Sequence, residues 1–241
     1  MDTRRSARTS SAFHGTWPED GHFAADDGSM SYTDALPDTD PRAVFAATAR
    51  TTADLIATVR ADELARPTPC QDMDVQGLLG HLVMVLDRVA ALGHGTNPMA
   101  LPDTVAHGAS EWPAAWAEGT DRALAAWQDD AVLERRMVLP WAEGPGSQML
   151  ASYVAELTVH TWDLATAVGR PAAYDDRAVA VSWAAYQASL PAGDRQARFD
   201  EVRAQMPPEF QAGPPPFLNA AAAPADAPLI DRVVAWTGRN P

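Results

Sequence analysis

Apolar residues recur along most of this chain with a period near 3.6, in runs separated by short polar or proline-rich stretches, and that pattern predicts helices. Asp40-Pro41 opens the first, with Asp as N-cap and Pro at a position where its missing N–H does no harm. Phe45, Leu55, Ile56 and Val59 give it an amphipathic face running to about Leu64. Arg66-Pro67-Thr68-Pro69 reads as an extended connector, because each proline disfavours helix in the residue before it. Asp74 then caps a second long helix, VQGLLGHLVMVLDRVAAL, with Val75, Leu78, Leu79, Leu82, Val85, Leu86 and Val89 on its core face and His81 at the edge. Gly77 and Gly80 flank His81 on the other side. Two glycines inside a helix cost about 1 kcal/mol each against alanine, which room beside the imidazole would explain.

Ser110 is the expected cap of a third helix carrying Trp112, Trp116, Leu124 and Trp127, interrupted near Gly119. Met137 to Trp141 is too short for a strand and reads as an extended connector, followed by a turn at Glu143 to Gly146. Ser147 caps a helix that runs to Val168, where Gly169-Arg170-Pro171 is a stop signal. Asp175 or Asp176 starts another helix through Trp183, Tyr186 and Leu190. Pro207 to Pro228 is irregular, and LIDRVVAWTG is a short last helix ended by Gly238. Residues 1–38, rich in Ser, Thr, Asp and Gly, read as a disordered or loosely packed N-terminal tail, since they cannot repay their own ordering entropy. Residues 39–241 form one domain. The expected fold class is all-α, a four-helix bundle with an irregular Pro/Ala-rich C-terminal segment.

Composition narrows the partners. With 241 residues, 46% of them hydrophobic, the chain can bury one substantial core. A net charge of -14 argues against nucleic acid and against anionic membrane surfaces, both of which are bound by clustered Lys and Arg. No apolar run marks a leader or a membrane span, so the expected location is cytoplasmic. The single cysteine, Cys70, excludes an internal disulfide and fits a reducing compartment. A small-molecule substrate and a monomer or homodimer are the expected state.

The candidate chemistry lies in YVAELTVHTWDLATAVGRP, Tyr153 to Pro171. At 100° per residue, Glu156, His160 and Asp163 share a stripe within roughly 60°. Leu157 and Leu164 flank it on one side, Ala155 and Val159 on the other, so it should face the core. There an ionised carboxylate or an unpaired imidazole costs several kcal/mol unless something offsets it, and a divalent cation would. Glu156 and His160, one turn apart, bind one ion from the same side, and His81 from a facing helix completes a two-His, one-carboxylate set with a coordination position left open. Zinc is the first choice, while nickel or iron suits the same donors. Asp163 either orients His160 from behind or makes an ordinary salt bridge. Cys70 is a fourth ligand, a nucleophile or a small buried hydrophobe. His94 and His107, in Gly-rich loop sequence, read as solvated, and the tryptophans as core.

Three segments, RPTPCQDMDVQGLLGHLVMVLDRV, AELTVHTWDLATAVGRP and ADAPLIDRVVAWTGRNP, resemble in order and spacing the DinB-like metal-binding four-helix-bundle family that includes mycothiol-dependent maleylpyruvate isomerase. The resemblance covers roughly residues 40–241 and places the family's metal ligands on His81, Glu156 and His160. Met73 departs from it, standing where the family usually has Trp. What the resemblance implies is an enzyme that uses a low-molecular-weight thiol, mycothiol or one like it, to isomerise an electrophilic small molecule or to transfer sulfur to it. A thiol-independent hydrolase or lyase and a non-enzymatic metal-binding or small-ligand-binding module stay open beside it, and no residue is assigned as catalytic. Arg88, two turns after His81 and within about 20° of it on the helical wheel, either binds a substrate carboxylate or pairs with a surface acid.

Overall fold

The computed structural model describes residues 39–70, 73–139, 142–204 and 217–241. The expected tail over 1–38 and part of the Pro/Ala-rich segment lie outside the described residues. The helices are α1 (Pro41–Ile56), α2 (Val75–Gly93), α3 (Trp112–Ala126), α4 (Asp130–Glu134), α5 (Gly146–Val168), α6 (Asp176–Ser189), α7 (Arg195–Ala204) and α8 (Leu229–Trp236). A two-stranded antiparallel ribbon, β1 (Arg136–Leu139) and β2 (Ala142–Pro145), leads into α5. Helices α1, α3, α2 and α5 contact one another in a closed ring, the bundle expected from their apolar stripes. Phe45, Leu78, Leu82, Leu86, Trp116, Leu150 and Leu157 fill its centre. Trp116 and Trp127 are buried whole because each indole N–H finds a backbone carbonyl, Ala49 O at 3.0 Å and Val89 O at 2.8 Å.

Two bonds from one arginine fix the direction of α5 against α2. Arg135 donates to Leu92 O and Gly93 O at 2.7 and 2.8 Å, and its own carbonyl accepts from Gly146 N. The start of α5 therefore lies beside the end of α2, and the two helices run antiparallel. The far face of α5 belongs to a second, smaller cluster, in which Ala155 and Val159 pack with Val179 of α6, Tyr186 of α6, and Val233 and Val234 of α8. By length and composition α2 would pass as a membrane span, yet 67% of its apolar window is buried against neighbouring helices, as a bundle core helix must be.

Several boundaries differ from the sequence expectation, each for a local reason. The first helix stops at Ile56 rather than near Leu64, because the chain turns to bury Glu63, whose carboxylate takes Arg60, Arg66 and Arg170. The third helix starts at Trp112 without a Ser110 cap and runs unbroken through Gly119, where the missing side chain admits Leu86. Of the expected connector at 137–141, residues 137–139 instead belong to a strand pair and 140–141 lie outside the described residues. The pair is held in register with Arg136 on Glu143 at 2.7 Å and with Met137 and Leu139 buried on one face. Ser147 is not the cap of α5, since the ribbon delivers Gly146 N directly to Arg135 O. Helix α7 was not expected at all. The caps at Asp40, Asp74 and Asp175 and the left-handed Gly169, at φ 67°, stand as the sequence predicts.

Candidate metal centre

His81 projects from the second turn of α2 and His160 from the last third of α5, and antiparallel packing brings their rings to a centroid distance of 4.9 Å at 79°. Glu156, one turn before His160, places Oε1 3.2 Å from His81 Nε2. One ligand atom from each of the three lies within 4.8 Å of the others, close enough for a single ion to touch all three after small rotamer adjustments. Both histidines are mostly covered, 12% and 13% of their side chains being exposed, while Glu156 keeps 31%. The carboxylate is thus the side by which the centre meets solvent.

Each imidazole is oriented from behind by an oxygen that only accepts. Asp103 O lies 3.2 Å from His81 Nδ1, and Asp163 Oδ2 lies 3.0 Å from His160 Nδ1. A carbonyl and a carboxylate both call for N–H at Nδ1, so both rings turn an Nε2 lone pair towards the shared space, as metal-binding histidines do. The room at Gly80 serves this arrangement differently from what the sequence suggests. A Cβ there would collide with Val105 O and Thr104 Oγ1, so the glycine admits the loop that carries Asp103, and Val105 N donates back to Gly80 O at 3.3 Å.

The charges of the centre are coupled across the contact between His81 and Glu156. Burial pulls the His81 pKa down, but the hydrogen bond and charge of Glu156 outweigh it and the net shift is upward. Burial likewise pushes Glu156 up, and the His81 hydrogen bond with the nearby cationic groups carries it well below the carboxylate range. His160 shifts the other way, lowered first by burial and then by the neighbouring His81 despite Asp163. Two imidazoles and a carboxylate with ligand atoms within 4.8 Å of one another are a donor set fitted to a divalent cation.

Asp163 is fully buried and also accepts from Arg239 Nε and Nη2, both at 2.7 Å. Arg239, just past α8 and 76 residues further along the chain, is the neutralising partner that sequence reasoning missed. Cys70 lies on that side: its sulfur, His160 and Asp163 also offer ligand atoms within 4.8 Å of one another, and Sγ is 4.0 Å from Met73 Sδ. With Asp163 already holding Arg239, the cluster without Glu156 is the poorer cation site. Arg88 reaches the loop, with Nη2 donating to Asp103 Oδ1 at 2.8 Å and to Pro102 O at 3.1 Å. His94 is exposed, and His107 packs edge-on against Trp112 at 5.2 Å.

Known proteins resemble this chain in sequence and in fold. Over residues 45–165, which hold His81, Glu156, His160 and Asp163, the chain matches the model of the mycothiol maleylpyruvate isomerase N-terminal domain. The uncharacterized proteins Rv0738 and MT0763 of Mycobacterium tuberculosis, from strains H37Rv and CDC 1551, are each 28% identical over 189 residues, covering 77% of this chain and 90% of theirs. The crystal structure of the mycothiol-dependent maleylpyruvate isomerase superposes with a TM-score of 0.51 at 14% identity, covering 63% of this chain and 70% of that one, a likeness of fold. The fold is all-α and DinB-like, and the chain belongs to the mycothiol maleylpyruvate isomerase N-terminal domain family.

Proposed function

We propose that this protein is a metal-dependent enzyme that uses a low-molecular-weight thiol, mycothiol or a close analogue, on an electrophilic small molecule, either isomerising it or transferring sulfur to it. The observation that carries the reading is the pair of imidazoles, each held at Nδ1 by an acceptor, with ligand atoms of both and of the Glu156 carboxylate within 4.8 Å of one another. His81, His160 and Glu156 would hold the cation, zinc in first place with nickel or iron suited to the same donors. When bound, the ion supplies a Lewis acid that favours the deprotonated form of a coordinating thiol near neutral pH.

The chain's own residues do the rest. Asp103 O and Asp163 hold the two rings at Nδ1, so only small adjustments of the side chains are needed when ion or substrate arrives. Glu156, on the solvent side, marks the direction of entry. The thiol is supported by the family and by the name of the solved neighbour, whose own activity is described as mycothiol-dependent. A cytoplasmic location, a small-molecule substrate and a monomer or homodimer complete the proposal.

Elemental analysis of protein purified without chelator should find about one metal ion per chain, lost in His160→Ala. Cobalt-substituted protein titrated with mycothiol should develop sulfur-to-metal absorption. Full metal occupancy in His160→Ala would remove the ligand assignment. If sulfur never enters the coordination shell, a thiol-independent hydrolase or lyase takes the place of this reading.

A further inference from the structure

We propose that Arg88 and Tyr153 form an anion-accepting subsite beside the metal centre, which receives a carboxylate of the small-molecule substrate. The proposal rests on the functional reading above for the substrate's reactive half and adds the chemistry of its other half.

Arg88 follows His81 by seven residues and Tyr153 precedes His160 by seven. Seven steps of 100° fall about 20° short of two full turns, so each residue lies on the same stripe as its histidine, with its Cα about 10 Å along the helix. Because α2 and α5 are antiparallel, the two displacements point the same way. Arg88 and Tyr153 therefore face each other at one level as His81 and His160 do at the next, and the charge of Arg88 acts on the Tyr153 hydroxyl as well as on His81 and Glu156.

Both residues carry a donor with nothing to donate to. Tyr153 is 2% exposed, and its hydroxyl has no acceptor among the described residues; the same holds for the buried Nε of Arg88. A buried donor left unsatisfied is costly, and two at one level of one helix pair mark a place for an acceptor from outside. Burial and the Glu156 charge raise the Tyr153 pKa, so the hydroxyl stays protonated and remains a donor. The Arg88 guanidinium is meanwhile held in place through Nη2 on Pro102 O and Asp103 Oδ1, which leaves the buried Nε without a partner among the described residues. A fixed positive charge with two separate N–H and O–H donors suits a planar carboxylate, one oxygen to each.

The test uses zinc-loaded protein free of thiol, with succinate as an unreactive carboxylate probe measured by calorimetry. Wild type should bind it. Tyr153→Phe should retain its zinc, melt no lower than wild type because an unsatisfied hydroxyl has gone, and bind succinate roughly 10-fold more weakly. Arg88→Lys keeps the charge on Asp103 but lacks the Nε donor; it too should retain zinc and bind roughly 10-fold more weakly. The subsite is overturned if wild type does not bind succinate, or if both variants bind it as wild type does, which would put the carboxylate on the metal. It is also overturned if Tyr153→Phe melts several degrees lower, which would mean that the hydroxyl is satisfied inside the fold. No thiol is present in this experiment, so a thiol that fails to reach the metal overturns the functional reading and leaves the carboxylate result standing.

Discussion

The two histidines of the centre are held by opposite kinds of support. His160 leans on Asp163, a side chain with no exposure, which is in turn neutralised by Arg239 at 11% exposure. His81 leans on a backbone carbonyl in the loop after α2, and the residue supplying it, Asp103, has a side chain 74% exposed and fastened outward by Arg88. One support is an ion pair sealed between α5 and the C-terminal helix, and the other is a stretch of surface chain pressed against Gly80. An ionised group removed from water depends on its partner absolutely, whereas a carbonyl on a loop needs only to be in the right place. The His160 side should therefore fail by loss of charge compensation and the His81 side by displacement.

The sharpest break is Asp163→Ala, which strands the Arg239 guanidinium in the core. Denaturant titration should show a loss of about 3–5 kcal/mol, and competition with a chelator should show metal affinity lowered about 10- to 100-fold. A loss under about 1 kcal/mol would mean that the pair is in effect solvated. Gly80→Ala attacks the other side by steric means, since the new methyl forces Val105 and Thr104 outward. Overpacking of this kind costs about 1–3 kcal/mol. The loop, not the bundle, should yield, so hydrogen exchange should rise at 103–105 and metal affinity should fall while α1 and α3 stay protected.

Titration distinguishes the loaded and empty centre. In the metal-free protein the raised His81 pKa means that the imidazolium's contribution is complete below its ordinary 6.5 and is lost as pH rises through the raised value. The metal-loaded protein has the opposite slope, because the ion must expel that proton: affinity should fall about tenfold per pH unit below the His81 pKa. Calorimetric melts of both forms across this range should therefore diverge, and parallel curves would mean that His81 does not meet the ion. The smallest effect belongs to Asp103→Ala, which deletes the exposed link to Arg88 but leaves the carbonyl. Stability should change by less than about 1 kcal/mol, and metal content should not change.

The same contrast explains what could be read in advance. The cluster was legible because α2 and α5 are long and regular, so the wheel angles of His81, Glu156 and His160 survive folding unchanged. Gly169 and the Asp caps were legible because their roles are local. The ribbon of β1 and β2 was not, as four-residue strands have no periodicity to detect and their pairing depends on Arg136 and Glu143 meeting across the ladder. Arg239 was hidden for a different reason: nothing near it in the chain marks it, and only the docking of α8 against α5 brings it to Asp163. The Asp103 carbonyl is offered by every residue type, so no side-chain pattern could have announced it. Tyr153 stood in plain view at the same seven-residue offset that drew attention to Arg88, but a tyrosine on an apolar face reads as packing until its hydroxyl is found without an acceptor.

The 76 residues between Asp163 and Arg239 also set a timetable. A ribosome adding about 5–20 residues per second needs about 4–15 s to go from the one to the other. In that interval the growing chain already contains His81, Glu156 and His160, while the Asp163 carboxylate has yet to meet its arginine. On the metal reading proposed above, ion capture can thus precede docking of α8, which then closes over residues made and gathered before it.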